Sequence, residues 1–433
     1  MNRREFLGLS ALGLTSLTIL PSWSVNGQKY APSDRIVFGF IGLGRQGMSD
    51  FYSASNCPGI QIVAGCDVDA LKRERFMKRV TEWQKKAGWN PRCDTYEFYE
   101  ELLDRKDIDV VSIATPDHWH ALAAIHACQA SKDVYLQKPL TYTISESIAL
   151  VRAVRANDRV LQVGSQQRSD REFQRAIELV RAGAIGHIES VQVHIGEPPK
   201  PFDLPEVPVP PYLNFNAWMG PLTSPNVHYH PDMCPPIDNP EMEEKGPWAV
   251  WRYYRETGNG LTGDWGAHHY DITQAALGMD GSGPVGYNGT KYCTMKYADG
   301  IVVTEQVIEN FRKDNPNELG IKFIGTKGWL KVARGYIECS DPSLVKDTPM
   351  GAEVSHMQNF VNCIRSRRNP IAPVEVGCST NIMCCLNNIA HELGRPVKWD
   401  PATLSFGDDE EAANHRLYYY KYRNPYTLPY WDK

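Results

Sequence analysis

Three groups of residues have the types and spacing that chemistry needs. Gly42, Gly44 and Gly47 form G-x-G-x-x-G between the apolar run 36–41 and a stretch of helical spacing, 49–55. Glycines so spaced permit a tight turn, a close approach of backbone to a diphosphate, and close packing of the next helix on its strand. The positive end of that helix then faces phosphate oxygens. A second apolar run, 60–65, leads to Asp67, twenty residues beyond Gly47. A carboxylate there accepts hydrogen bonds from the hydroxyls of an adenosine ribose and repels a 2′-phosphate, which predicts NAD rather than NADP. Lys72, Arg73 and Arg75 follow closely and would soften that preference. The glycine motif alone is weak evidence. Strand, glycines, helix, second strand and acid in order make Gly42, Leu43, Gly44, Arg45, Gln46, Gly47 and Asp67 the predicted nucleotide contacts.

The second group is Lys138, which stands between Gln137 and Pro139 after the β-rich run 134–136. An ammonium held at a strand end can face the oxygen of a reacting carbinol and stabilise the charge that develops on it. The third group is Asp264, His268 and Asp271, at i, i+4 and i+7, a spacing that places them on one face of a helix. Histidine suits proton acceptance because its unperturbed pKa is about 6.5. His269 is the rival. It falls on the neighbouring stripe with Trp265, Ile272 and Ala276, which the pattern turns toward the core, and it is assigned to the substrate side.

The elements that must position these groups alternate along the first part of the chain. Strands are predicted at 36–41, 60–65, 108–114, 134–136 and 160–164, with helices at 49–55, 70–87, 96–105, 121–130 and 145–157. Such alternation predicts a doubly wound parallel sheet with ligand groups at the carboxyl ends of its strands. Thr115, Pro116, Asp117, His118 and His120 occupy one such end, and Gln166 and Arg168 follow another, placed to reach the nicotinamide ribose or substrate hydroxyls. From 164 the texture changes. A helix at 171–182 and a strand at 188–195 precede a proline- and aromatic-rich stretch, 197–259, of the length expected for an active-site arm. Trp218, Trp251, Arg252 and Tyr254 in it could stack on a sugar ring, or could pack the arm down. A helix at 264–278 and strands at 291–297, 301–310, 321–325 and 329–332 predict an antiparallel sheet with one wet face. A helix at 354–365, an extended link at 374–376 and a helix at 379–393 follow. The aromatic tail from Leu417 is expected to pack on a surface or a neighbouring subunit.

Composition bounds the possibilities. With 433 residues the chain can build two cores. A net charge of −5 without a long basic run excludes a nucleic-acid surface, and no apolar stretch in the body is long enough to span a bilayer. Asn2-Arg3-Arg4-Glu5-Phe6-Leu7 followed by an apolar, small-residue segment predicts a twin-arginine export signal over 1–26, and a periplasmic location. Eleven cysteines, an odd number without any C-x-x-C pair, predict buried free thiols rather than a disulfide framework. His118, His120, His228 and His230 form two H-x-H pairs, but with no cysteine or acid at ligand spacing no metal site is predicted.

These motifs — GFIGLGRQG, ATPDHWH, QKPLTYTISES, GSQQRS, GDWGAHHYDI, FIGTKGWL and HELGRPVKWDP — together resemble the glucose–fructose oxidoreductase/inositol dehydrogenase (Gfo/Idh/MocA) family over nearly the whole length after the signal. The resemblance implies an α/β protein. A Rossmann domain over 33–164 would bind a nicotinamide cofactor, and a C-terminal α/β domain over 165–433 would carry an open, mostly antiparallel sheet that often forms an oligomer interface. The implied partners are a sugar or cyclitol and a second copy of the chain. It implies a catalytic lysine at Lys138, usually preceded by a glutamate where this chain has Gln137. It places the proton-accepting histidine at His268 and, at Asp264, an aspartate that binds substrate hydroxyls or orients the ring. It lines the nicotinamide half of the cofactor with Thr115, Pro116, Asp117, His118 and His120; Gln137 and Gln166 are expected cofactor contacts as well. Exported members occur. The expectation is hydride transfer from a sugar hydroxyl to tightly held NAD. Two rivals stay open: a glycoside hydrolase that oxidises its sugar transiently, and a non-catalytic sugar or nucleotide sensor, for which Gln137 is the only feature.

Overall fold

The computed structural model describes residues 34–431 apart from Asp238 and residues 290–292, so the predicted export segment 1–26 lies outside the described residues. The first part of the chain runs β1 (Ile36–Ile41), α1 (Arg45–Ser55), β2 (Ile60–Cys66), α2 (Ala70–Lys86), β3 (Asp94–Tyr96), α3 (Tyr99–Leu103), β4 (Val110–Ile113), α4 (Asp117–Gln129), β5 (Asp133–Leu136), α5 (Ile144–Ala156) and β6 (Leu161–Val163). The sheet order is β3-β2-β1-β4-β5-β6, every pair parallel. β1 is central and covered by helices on both faces, which is why its sequence is an unbroken apolar run. The chain winds out from β1 through β2 and β3, then returns on the other side to β4. The crevice between the carboxyl ends of β1 and β4 is therefore the switch point at which such sheets take ligands. Phe38, Phe40, Phe51 and Phe76 fill one face as tilted and edge-on pairs.

The chain continues through α6 (Arg171–Arg181), β7 (Ile188–His194), α7 (Phe215–Met219), α8 (Pro240–Lys245), α9 (Gly260–Asp264), α10 (Gly266–Leu277), β8 (Gly286–Asn288), β9 (Thr294–Lys296), β10 (Val302–Glu305), β11 (Gly320–Gly325), β12 (Gly328–Ala333), β13 (Tyr336–Cys339), α11 (His356–Ser366), α12 (Val374–Leu393), β14 (Pro396–Lys398) and α13 (Glu410–Ala413). Eight strands form a mixed sheet, β13-β12-β11-β7-β10-β9-β8-β14, antiparallel at every pair except β7–β10. α6 and α10 pack on one face of it.

Two predicted elements are corrected. Residues 374–376 are not an extended link: they open α12, a helix buried along most of its length between α5 and α10. The β-branched Val374 and Val376 suggested extension, but at a buried helix start their packing overrides that weak preference. The predicted helix 264–278 is two helices that meet at Trp265. The aromatic tail folds back on its own chain. The amides of Ile144 and Ser145 donate to the carbonyls of Leu417 and Tyr418 at 2.9 Å each, and the Tyr422 hydroxyl donates to Glu146 at 2.5 Å. All eleven cysteines are free and buried. No helix among the described residues is long and apolar enough to cross a membrane.

Candidate active site

A cleft of about 950 Å³ lies between the carboxyl ends of the parallel strands and the α9–α10 junction. Its first wall is the glycine loop. Gly42 has φ 84°, and a Cβ there would come within 2.6 Å of the Ala114 backbone. A Cβ on Gly47 would lie 2.0 Å from the Gly42 carbonyl oxygen, so both positions exclude a side chain. Gly44, by contrast, faces open space and lines the cleft. α1 begins there with no side-chain cap, which leaves its first N–H groups directed at the cleft. Asp67 lines the same end. Its carboxylate accepts the Leu43 amide at 2.7 Å and the Asp69 amide at 3.0 Å, so it braces the loop and still has lone pairs for ribose hydroxyls. An uncapped helix end, an open cradle at Gly44 and an acid beside it fit a dinucleotide. Leu43 buries its side chain and offers only its backbone.

Lys138 follows β5 by two residues and reaches across the cleft. Its ammonium pairs with the carboxylate of Asp264, whose other oxygen takes the Arg252 guanidinium at 2.7 Å. Burial alone would raise the Asp264 carboxyl, but these two cations outweigh it and hold it below the usual carboxylate range. His268, one turn on, also lines the cleft and is only 4% exposed; its Nδ1 has no hydrogen-bond partner. Burial first, then the charges of Lys138 and Arg334, push its pKa well down, so the ring stays neutral. Asp117, the first residue of α4, shares the cleft. It is 5% exposed, and its carboxyl makes no hydrogen bond among the described residues. Burial pushes its carboxyl up to about 8, against the pull of Lys138.

Gln137 donates from Nε2 to both oxygens of Asp50 on α1, at 2.8 and 3.0 Å, and Gln46 donates to the same carboxyl at 3.0 Å. Burial raises Asp50 to about 7 in spite of these bonds. Asp50, on a different element, thus brings a carboxyl against the Gln137 amide. Gln166 donates to the Tyr135 hydroxyl at 3.3 Å and lines the cleft, as do Thr115, Pro116 and His120. His120 bridges the carbonyls of Thr115 and Pro139 at 3.0 and 2.8 Å, which ties the Lys138 loop to the end of β4.

Four predicted site residues lie elsewhere. Arg168 is locked to Asp271 at 2.7 Å and to Asp280 at 2.6 Å and does not line the cleft; Asp271 turns with it, away from His268. His269 is fully buried behind Trp265, its Nδ1 on the His194 carbonyl at 3.1 Å. The Tyr254 hydroxyl donates to Asp203, and its neighbour Tyr253 lines the cleft instead. His118 contacts the Trp218 carbonyl at 2.9 Å and anchors the arm. Trp251 and Arg252 do line the cleft.

The arm closes over the glycine loop. Arg45 donates to the Gly246 carbonyl at 2.5 Å, and the Trp248 ring lies between the guanidinium groups of Arg45 and Arg252, at 4.6 and 5.0 Å. Glu243 is bound by Tyr52 of α1 and, at 3.4 Å, by Arg79 of α2. Sequence reading missed Trp248, Asp50 and Arg334, and it placed Asp117 only among the residues that line the nicotinamide. Only the proline- and aromatic-rich texture of the arm pointed toward the first of these.

Two family models match this chain. One, described as an oxidoreductase family with an NAD-binding Rossmann fold, matches residues 36–165. The other, the C-terminal alpha/beta domain of the oxidoreductase family, matches residues 200–428. Among curated relatives, a glycosyl hydrolase family 109 protein of Shewanella pealeana is 29% identical over 214 residues, 45% of this chain and 46% of the relative. A second family 109 protein, from Shewanella sp. strain ANA-3, is 31% identical over 175 residues, 40% of this chain and 38% of the relative. The chain thus spans less than half the length of the curated relatives it matches. Among solved structures, the aldose-aldose oxidoreductase of Caulobacter crescentus superposes with TM-score 0.57 at 17% identity, covering 84% of this chain and 99% of that one. The scyllo-inositol dehydrogenase of Lactobacillus casei, solved with NAD(H) and scyllo-inositol, gives 0.55 at 16%, covering 84% and 99%. At these identities the likeness is one of fold.

Proposed function

The chain belongs to the Gfo/Idh/MocA oxidoreductase family, and on that premise we propose that it oxidises a hydroxyl-bearing carbon of a sugar, cyclitol or glycoside, with NAD held beneath its arm. The observation that carries the reading is the convergence of Lys138, Asp264 and His268 at the end of the cleft away from Asp67. A nicotinamide dinucleotide, held by the glycine loop and Asp67, supplies the hydride acceptor. His268, neutral and unpartnered at Nδ1, takes the hydroxyl proton. The Lys138 ammonium stabilises the oxygen as charge develops on it, in a site where water screens little. Asp264 and Arg252 orient the substrate's other hydroxyls, and the Asp264 carboxylate holds the ammonium in place. The arm excludes water and keeps the nucleotide bound. The test is single-turnover reduction of bound nucleotide over a sugar panel. Lys138→Ala and His268→Ala should each lose about 10²- to 10⁴-fold while nucleotide content stays full. Undiminished turnover in both variants ends the mechanism.

A second reading is glycoside cleavage, supported by the family 109 relatives and by Asp117. Oxidation at one carbon acidifies the neighbouring C–H. That proton leaves to a base, and the glycosidic C–O bond breaks as its oxygen takes a proton. Water then adds, and the oxidation is reversed. Asp117, kept protonated near neutral pH by burial, is the acid available to the departing oxygen. Release of aglycone from an aryl glycoside without net NADH distinguishes this reading from simple oxidation. The proposal also includes twin-arginine export, on the strength of Arg3 and Arg4. It includes assembly through the eight-stranded sheet, which sedimentation would check.

A further inference from the structure

We infer that the substrate carries an anionic group, a carboxylate or a phosphate on its sugar ring, and that Arg334 reads it. The inference rests on the oxidoreductase reading of the same cleft and names its substrate class. Arg334 stands at the two-residue turn between β12 and β13, where Ala333 pairs with Tyr336. The turn comes from the far sheet, yet Arg334 lines the cleft beside Asp264 and His268. Its guanidinium lies over the Trp265 ring, 4.5 Å from the centroid, at the junction between the helices that carry those two residues. Stacking fixes the plane of the guanidinium and leaves its N–H edge open. That edge meets no hydrogen-bond acceptor among the described residues, and the side chain is exposed to the cleft.

The turn is held for the purpose. Glu172 on α6, only 2% exposed, accepts the Gly335 amide at 2.7 Å through one oxygen and the Gly351 amide at 2.9 Å through the other. One buried carboxylate thus pins the hairpin tip to the loop beside it, so that Arg334 is presented rather than trailing in solvent. The charges facing this end of the cleft are Lys138, Arg252 and Arg334 against Asp264 and Asp170, with Asp117 largely protonated. Lys138 and Arg252 share the single carboxylate of Asp264. Arg334 is thus left without an ion-pair partner among the described residues, the charges of Asp170 and Asp264 acting on it only at longer range. A planar guanidinium with a free edge is the donor that grips a carboxylate or phosphate through two parallel bonds.

Calorimetric titration of the protein as purified, with a hexuronate, a hexose 6-phosphate and the neutral parent hexose, tests this. At least one anion should bind about ten- to a hundredfold more tightly than the neutral sugar. Arg334→Ala should erase that preference, and Arg334→Lys should restore part of it. The better anion identifies the group as carboxylate or phosphate. Equal binding of anionic and neutral sugars, or a preference that survives Arg334→Ala, overturns the inference. An anion held through Arg334 that never reduces the bound nucleotide upholds it and sinks the oxidoreductase reading. A neutral sugar that turns over while the anions neither bind nor compete does the reverse, and a protein that binds none of the three sinks both.

Discussion

The side-chain amide of Gln137 lies against the carboxyl of Asp50, its Nε2 2.8 and 3.0 Å from the two oxygens, beneath the loop that carries Lys138. The carboxyl is fully buried, and burial raises its pKa from 3.8 to about 7. An acid whose folded-state pKa is raised binds protons more tightly in the native state. Stability contributed by this group is therefore lost as pH climbs from about 4 to 7 and is level above that. Asp50→Asn keeps the contact with Gln137 without the ionisation. It should gain on the parent protein as pH rises from 5 to 8, by up to about 3 kcal/mol. Urea melts at the two pH values decide it; parallel curves would remove Asp50 as the source.

Trp248 is gripped by two guanidinium groups, and through Arg45 it ties the arm to the glycine loop. Each cation–π contact at a partly covered site is worth about 0.5–2 kcal/mol. Trp248→Ala should accelerate nucleotide loss by about tenfold or more. The ratio of absorbance at 260 and 280 nm after exhaustive dialysis reads this directly. Retention equal to the parent protein would show that the arm does not hold the ligand.

If Asp117 gives up a proton to a leaving group, it must be protonated to act. With its pKa raised to about 8, cleavage of an aryl glycoside should hold steady below pH 8 and fall above it. Asp117→Asn should remove cleavage across the whole range while sparing nucleotide binding. A pH profile without a basic limb, or cleavage preserved in the variant, rules the role out.

Arg168 is a structural cation. It is buried between Asp271 and Asp280, and removal of one partner from a buried pair costs about 3–5 kcal/mol. Arg168→Ala should lower the melting temperature sharply, with KM unchanged in the fraction that folds. A normal melting temperature with a raised KM would restore it to the substrate side.

The parallel sheet was legible because each strand is a continuous apolar run and each ligand group follows one; periodicity and glycine spacing are local signals. Lys138, Asp264 and His268 were legible for the same reason, as each sits at an element end that a motif marks. Arg168 was misread because it follows a strand of the right sheet, yet its direction is set by Asp271 and Asp280, which lie more than a hundred residues downstream. His269 and His268 differ by one position and by nothing in composition. The helical stripe separates them: His269 shares the core-facing stripe of Trp265, Ile272 and Ala276 and meets the His194 carbonyl, while His268 lines the cleft. Asp50 and Arg334 were invisible for a related reason. One is an acid on an ordinary helix and the other a basic residue in an ordinary hairpin turn, and each acquires meaning only from a partner on another element.

No cysteine is more than 8% exposed, and all are unpaired. Oxidants and alkylating agents attack thiolate that they can reach, and sealed sulfur offers them neither charge nor access. The finished molecule can therefore pass from a reducing to an oxidising medium without any change in its covalent structure. On a non-reducing gel it should run as a single unlinked band.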